Sequence, residues 1–275
     1  MLWTTLVLAA LSALSNPAQA PKALVTTDWV YQNLKNPKVR LVEVSVDPGV
    51  YEQGHLQGAV GLKWHSELCD PVGRDVVPPE RFAELCRRSG IANDTTVVLY
   101  GDNNNWFACW GFWIFTMYGH ADVRLMDGGR RKWELEQRPL DTSAPSYPAA
   151  SYQVAKADLG LRVRLVDVLQ ALEKQDAVLV DVRSPDEHAG KIIAPPGVQE
   201  LAIRAGCIPG SKNVPWAKTV RDDGTFRPAE ELRRLYADAG VDGSAPIITY
   251  CRIGERSSHS WFVLSEILGY RNVRN

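Results

Sequence analysis

An α/β protein built from two tandem domains, each a parallel sheet with helices on both faces, is the fold class this sequence predicts. Three observations predict it. The chain has 275 residues, long for a single domain and sufficient for two of moderate size. Short Val/Ile/Leu runs of strand length alternate with segments of helical periodicity, the pattern of strands buried between two helical layers. The second half also repeats the first. VRLVEV at 39–44 followed by GHLQGAVGLKW at 54–64 resembles AVLVDV at 177–182 followed by GCIPGSKNVPW at 206–216, with Gly58 and Trp64 meeting Gly210 and Trp216 at a shift of 152. FAELCRRSGI at 82–91 resembles LRRLYADAGV at 232–241, and VVLYG at 97–101 resembles IITYC at 247–251, both at a shift of 150. A duplication read this way fixes the fold before any motif is considered.

Taken in order, residues 1–20 read as a secretory signal. The run Leu2–Leu14 is apolar but too short to span a bilayer, and Ala18-Gln19-Ala20 has the small residues of a cleavage site. No Lys or Arg precedes that run and Pro21 would follow the cut, so an upstream start codon is the alternative. An extracytoplasmic location, periplasmic or secreted, is accordingly favoured over a cytoplasmic one, and no other stretch is long enough to form a membrane span. Residues 22–140 form the first domain and 161–275 the second. In each, a strand, a Gly-containing loop, a helix, a second strand and a longer helix succeed one another. Trp106, Trp110, Trp113 and Met117 fall at helical spacing and predict a buried helix face. Residues 141–160, with Pro145 and Pro148 among Ser, Ala and Asp, read as the linker. Residues 121–140 read as a strand, a Gly-Gly turn and a Trp-bearing helix. Their counterpart would occupy 271–290, so the second domain is expected to be truncated at its C-terminus, beyond Asn275.

Charge and composition exclude several functions. Lys+Arg 31 against Asp+Glu 32 leaves a net charge of -1, with no field to gather nucleic acid or an anionic membrane. With 45% hydrophobic residues the chain can bury a core, which argues against disorder. The five cysteines, at 69, 86, 109, 207 and 251, contain no Cys-x-x-Cys pair, so neither a metal cage nor a disulfide framework is expected. An odd number leaves at least one thiol outside any intrachain pairing.

Cys251 stands apart because only one copy has it. It follows the strand PIITY, where the first copy has Gly101, and precedes Arg252-Ile253-Gly254-Glu255-Arg256-Ser257 and then a helical pattern marked by Trp261, Leu264, Ile267 and Leu268. Strand, tight loop and helix N-terminus would surround the sulfur with backbone N–H groups and the positive end of a helix dipole. With Arg252 and Arg256 nearby, the thiol pKa is expected to fall and an anionic substrate to be held. Cys69, Cys86, Cys109 and Cys207 lack such neighbours and read as small buried hydrophobes. His259 reads as a helix-surface residue.

With CRIGERS at 251–257, DVRSPDE at 181–187, GCIPGSKNVPW at 206–216 and DGGRRKW at 127–133, the chain resembles the rhodanese family, in particular its tandem-domain thiosulfate sulfurtransferases, from about Leu24 to the end. The resemblance implies a catalytic second domain and a degenerate first one, whose loop has Gly101 and Asp102 in place of the reactive cysteine. It further implies that Cys251 takes the sulfane sulfur of thiosulfate as a persulfide and passes it to cyanide or a thiol, in a two-step exchange without metal or cofactor. Arg183 matches the family arginine that binds the substrate anion, and Ser45 holds its place in the first copy. Loop residues Arg252, Ile253, Gly254, Glu255, Arg256 and Ser257 would complete the substrate cradle. Asp181 matches a carboxylate supporting the loop or Arg183. Since Glu43 stands at the equivalent place, a purely structural role stays open. A monomer is expected.

The loop departs from the animal pattern, which has a lysine two residues after the cysteine where this chain has Ile253. Charge at Arg252 and Arg256 instead resembles bacterial thiosulfate enzymes, whereas 3-mercaptopyruvate enzymes follow their cysteine with Gly-Ser-Gly. Thiosulfate is the expected donor, with 3-mercaptopyruvate the alternative. A cysteine phosphatase would need arginine six positions after the cysteine, where this chain has Ser257. A non-enzymatic sulfur carrier or an inactive binding module is the remaining alternative.

Overall fold

The computed structural model describes residues 22–275 except 74, 155 and 197–201, so the expected secretory signal lies outside the described residues. Two parallel sheets carry the two copies. The first contains β1 (Leu24–Val25), β2 (Val39–Glu43), β3 (Val60–Gly61), β4 (Thr96–Tyr100) and β5 (Val123–Met126), in the order β1-β5-β4-β2-β3. The second contains β6 (Val178–Asp181), β7 (Lys212–Asn213), β8 (Ile247–Tyr250) and β9 (Val273–Arg274), in the order β7-β6-β8-β9. Strands β6 to β9 repeat β2 to β5. In place of β1 the second copy has Leu161 and Val163, which exchange backbone hydrogen bonds with Asn275, both at 2.9 Å. Central strand β4 is buried from Val97 to Tyr100, which explains why it reads as a continuous apolar run rather than an alternating one.

Two helices that follow equivalent strands join the copies. Helix Trp106–Met117 and helix Glu255–Phe262 occupy equivalent positions in the repeat and pack on each other, the Phe112 ring meeting Phe262 edge-on at 4.8 Å. Residues 107–115 are therefore buried on every side, a step beyond the single buried face that the tryptophan spacing predicts. The same packing corrects the reading of His259. It is fully buried between the rings of Trp216 and Phe226, at 5.1 and 5.0 Å, and burial pushes its imidazole down to about 3.

Further bonds cross between the copies. Asp127 accepts the Phe226 backbone N–H at 2.9 Å, Lys132 pairs with Asp223 at 3.1 Å, and Arg162 forms an ion pair with Asp75. The linker is strapped to the first copy along its length. Asp141 and His55 exchange backbone hydrogen bonds at 2.8 and 2.7 Å, the Tyr147 hydroxyl donates to the Gly58 carbonyl at 2.6 Å, and Tyr152 is buried. Helix Gly129–Leu135 brings Trp133 onto the face of the first sheet, where it packs with Val25, Val30 and Met126. On the corresponding face of the second sheet the buried cluster is smaller, made of Ala171, Leu179 and Ile248, while Leu165, Val166 and Leu169 are exposed. Among the described residues no helix is long and apolar enough to cross a membrane.

Candidate functional site

Sheet register brings the candidate residues together. Asp181 at the end of β6 pairs with Tyr250 at the end of β8, and the Val182 amide donates to the Tyr250 carbonyl at 3.2 Å. Residues 183–188 and 251–257 thus leave adjacent strand ends, where open parallel sheets carry their ligand sites. The turn from β8 into the next helix passes through Gly254 at φ +102°, a backbone conformation that side chains with a Cβ rarely adopt. This turn aims the Gly254 N–H at Cys251, whose Sγ accepts it at 3.2 Å, with the Ser257 hydroxyl at 3.7 Å. Cys251 is half-buried at the start of a helix that supplies positive dipole.

The side chains of Arg252 and Arg256 are both buried, and a residue that sequence reasoning missed holds them. Glu187, with no exposed surface, accepts Arg256 Nη1 and Nη2 at 2.9 and 2.8 Å, and its Oε1 lies 3.9 Å from Arg252 Nε. Glu187 also caps its own short helix, Pro185–His188, by accepting the Ser184 N–H at 3.1 Å. Burial works to raise the Glu187 pKa, but the Arg256 guanidinium and the Ser184 amide overcome it and hold the carboxyl at about 2. Arg252 is pushed the other way, lowered by burial and then by the charge of Arg256. Its Nε and Nη1 are buried with no hydrogen-bond partner among the described residues. Two guanidinium groups thus face the Glu187 carboxylate, and the charge of the buried Glu255 also acts on Arg252.

Arg183 is buried and paired with Asp181, donating from Nε at 2.9 Å and Nη2 at 2.7 Å, with a further bond from Nη2 to the Gly206 carbonyl at 2.8 Å. His188 Nδ1 lies 3.0 Å from Asp181 Oδ2. Burial opposes ionisation of Asp181, yet Arg183 and His188 keep its pKa below the usual carboxylate value. The Arg183 guanidinium sits 5.8 Å from the Tyr250 ring, next to Cys251 in sequence. Ile253 lines the cavity at Cys251 together with Arg252, Gly254 and Ser257, and with Glu255 it also forms part of the wall of a neighbouring cleft that opens against the first copy.

The other cysteines differ in setting. Burial pushes the Cys86 and Cys109 thiols up, as expected of small hydrophobes in a core, and Cys69 is buried too. Cys207 is exposed, against the expectation for it, because the loop Gly206–Gly210 runs over the surface. In the first copy the counterpart of the Cys251 loop is closed. A Cβ on Gly101 would stand 2.2 Å from the Val44 carbonyl oxygen, and the Asn105 side chain fills the turn by accepting the Gly101 N–H at 3.0 Å.

Comparison with known proteins gives the family and the fold. The rhodanese-like domain model matches residues 26–136 and 165–275. A protein named "Putative thiosulfate sulfurtransferase" from Mycolicibacterium smegmatis is 53% identical over 253 residues, covering 92% of this chain and 91% of that protein. The sulfur carrier protein TtuD of Thermus thermophilus is 53% identical over 259 residues, 93% of this chain and 91% of that one. Among solved structures, the 3-mercaptopyruvate sulfurtransferase SseA of Escherichia coli superposes with a TM-score of 0.81 at 25% identity, over 92% of this chain and 96% of that one.

Proposed function

The chain belongs to the rhodanese family as a tandem-domain sulfurtransferase, and from that premise we propose that it moves the sulfane sulfur of thiosulfate to a thiophilic acceptor through a persulfide on Cys251. One observation carries the choice of donor. The Arg252 side chain is buried beside Cys251 with Nε and Nη1 making no hydrogen bond among the described residues, an arrangement costly to maintain unless an anion completes it. A thiosulfate dianion meets that need, supported by Arg256 and Arg183.

In the first half-reaction the Cys251 thiolate attacks the outer sulfur of thiosulfate. A bond forms between Sγ and that sulfur, the S–S bond of thiosulfate breaks, and its electron pair leaves with sulfite. The Gly254 N–H and the Ser257 hydroxyl steady the charge on Sγ, and the guanidinium groups steady the charge on the departing sulfite. Sulfite is a weakly basic leaving group, so no general base is required, in keeping with a loop that has no histidine beside the sulfur. Asp181 and Glu187 act by orienting the arginines. In the second half-reaction cyanide or a thiolate attacks the persulfide's outer sulfur and Cys251 returns as thiolate.

Thiocyanate formation from thiosulfate and cyanide, compared between this chain and Cys251→Ser, tests the reading. The substitution is expected to abolish turnover and the mass gain of one sulfur atom on the protein. Equal activity in the two chains would refute it. A higher kcat/KM with 3-mercaptopyruvate than with thiosulfate would overturn the donor while leaving Cys251 in place.

A further inference from the structure

Asp181 serves two basic side chains at once. Its carboxylate has no exposed surface, Oδ1 accepts Arg183 Nε at 2.9 Å, and Oδ2 accepts Arg183 Nη2 at 2.7 Å while facing His188 Nδ1 at 3.0 Å. From this shared carboxylate we infer that His188 is a positioning residue for the sulfur donor: its imidazolium takes up part of the Asp181 charge and leaves more of the Arg183 charge to the donor anion. The inference rests on the reading of Arg183 and the Cys251 loop as the donor site.

The contact fixes which proton matters. Burial opposes ionisation of Asp181, yet Arg183 and His188 keep it ionised below the usual carboxylate range, so its oxygens only accept. His188 therefore donates from Nδ1 in both of its charge states, and the proton comes and goes at Nε2, on a side chain that is 24% exposed. Protonation adds a positive charge beside Asp181 without breaking the bond. Arg183 is placed to use the difference. Its Nη2 also donates to the Gly206 carbonyl at 2.8 Å, and Nη1 makes no hydrogen bond among the described residues. Its charge acts on Arg256, and Arg256 in turn feels the charge of Cys251.

The other ionisable groups around this cluster are already committed. On the helix of His188 itself, Glu187 turns to Arg256, which holds it at about 2 against the effect of burial, and Asp186 pairs with Lys191 at 3.2 Å on the surface. From β8, the Tyr250 ring lies 5.8 Å from the Arg183 guanidinium, and burial pushes its phenol up to about 12, so it stays neutral. The loop that supplies the Gly206 carbonyl carries Arg204 and Cys207, both exposed. Of these side-chain types, imidazole is the one whose ordinary titration falls between about pH 5 and about pH 8.

The test uses the full chain with Cys251→Ser, in which thiosulfate binds without reacting and the thiol no longer titrates. Thiosulfate affinity is measured by calorimetry at constant ionic strength from about pH 5.5 to about pH 8.5. It is expected to fall by about threefold or more as pH rises through this range, as the positive charge on His188 is lost. His188→Asn in the same chain, whose amide N–H still serves Asp181, is expected to give a flat profile at the parent's alkaline value. Asp127, which burial raises to about 6 at the contact between copies, titrates in the same window and would leave its trace in both chains. In the chain that keeps Cys251, His188→Asn should raise the thiosulfate KM at about pH 5.5 and leave kcat unchanged, a split that mere support of the fold would not produce. The parent profile tests the inference even where the variant fails to fold. The inference is overturned if the parent's affinity does not change with pH, or if His188→Asn keeps the parent's dependence. No thiosulfate binding at any pH would sink the reading of the donor and this inference with it, whereas pH-independent binding removes the role of His188 alone.

Discussion

Replacing Glu187 with glutamine should cost this protein more stability than almost any other isosteric change. The side chain is fully buried, both oxygens accept from Arg256 at 2.8 and 2.9 Å, and Arg252 Nε lies 3.9 Å away. Glutamine keeps the volume but removes the charge and turns an N–H₂ group toward a guanidinium N–H. Removing one member of a buried ion pair strands the other, at a cost of roughly 3–5 kcal/mol. The titration of Glu187 gives an independent figure. Its pKa falls from 4.5 to about 2, which at about 1.4 kcal/mol per unit is on the order of 3 kcal/mol. A depressed carboxyl contributes stability that is complete above its unfolded value and is lost as pH falls from about 4.5 through about 2. Urea unfolding at neutral pH should therefore show a lower midpoint at unchanged slope for Glu187→Gln, and the gap from the parent should narrow below pH 4.5. A loss under about 1 kcal/mol, or a gap that stays constant into acid, would refute the account of Glu187 as the charge that holds the two arginines.

Two further outcomes follow from the same geometry. Gly101→Cys should not create a second reactive thiol, because its Cβ would meet the Val44 carbonyl oxygen at 2.2 Å; a loss of about 1–3 kcal/mol and no sulfur loading in a Cys251→Ser background are expected, read by unfolding and intact mass. Burial at the contact between copies raises the Asp127 carboxyl to about 6, so its contribution is full below about 3.8 and is lost as pH rises through about 6. Asp127→Asn, which can still accept the Phe226 N–H, should accordingly raise the melting temperature at pH 7 to 8 and leave it unchanged below pH 4.

The parts of the fold legible in the sequence are those with a local signature. The repeat, the apolar central strands and the strand-loop-helix around Cys251 each occupy a few consecutive residues with their own pattern, and the structure places them accordingly. Glu187 was hidden because Ser184-Pro185-Asp186-Glu187 already has a local explanation as a helix cap, which it also fulfils, while its partner Arg256 lies 69 residues away. A clue was present in the two loop arginines, which needed a buried acid if they were not solvated. His259 was misread for a related reason. Its helix shows one apolar face in sequence, but a second face is covered by Trp216 and Phe226, and burial from a distant segment leaves no periodic trace. Cys207 follows the opposite logic, a residue type usually buried that a surface loop exposes.

Comparing the copies shows why one retains the candidate chemistry and the other does not. Both end their first equivalent strand in a buried carboxylate, Glu43 or Asp181, and in both a guanidinium answers it. In the second copy that guanidinium, Arg183, comes two residues later and stays at the strand end beside the Cys251 loop. In the first copy it is Arg130, which reaches Glu43 and the Gly54 carbonyl from helix Gly129–Leu135. The same helix packs so close to the loop that a Cβ on Gly129 would stand 2.7 Å from the Gly101 carbonyl. One element thus neutralises the acid and presses the loop shut. Placing Arg at position 45 alone would then bring a second guanidinium to a carboxylate that Arg130 already answers, with no room at Gly101 for the sulfur it should serve. The closed loop of the first copy is a property of how its last helix packs and is not reducible to a missing cysteine.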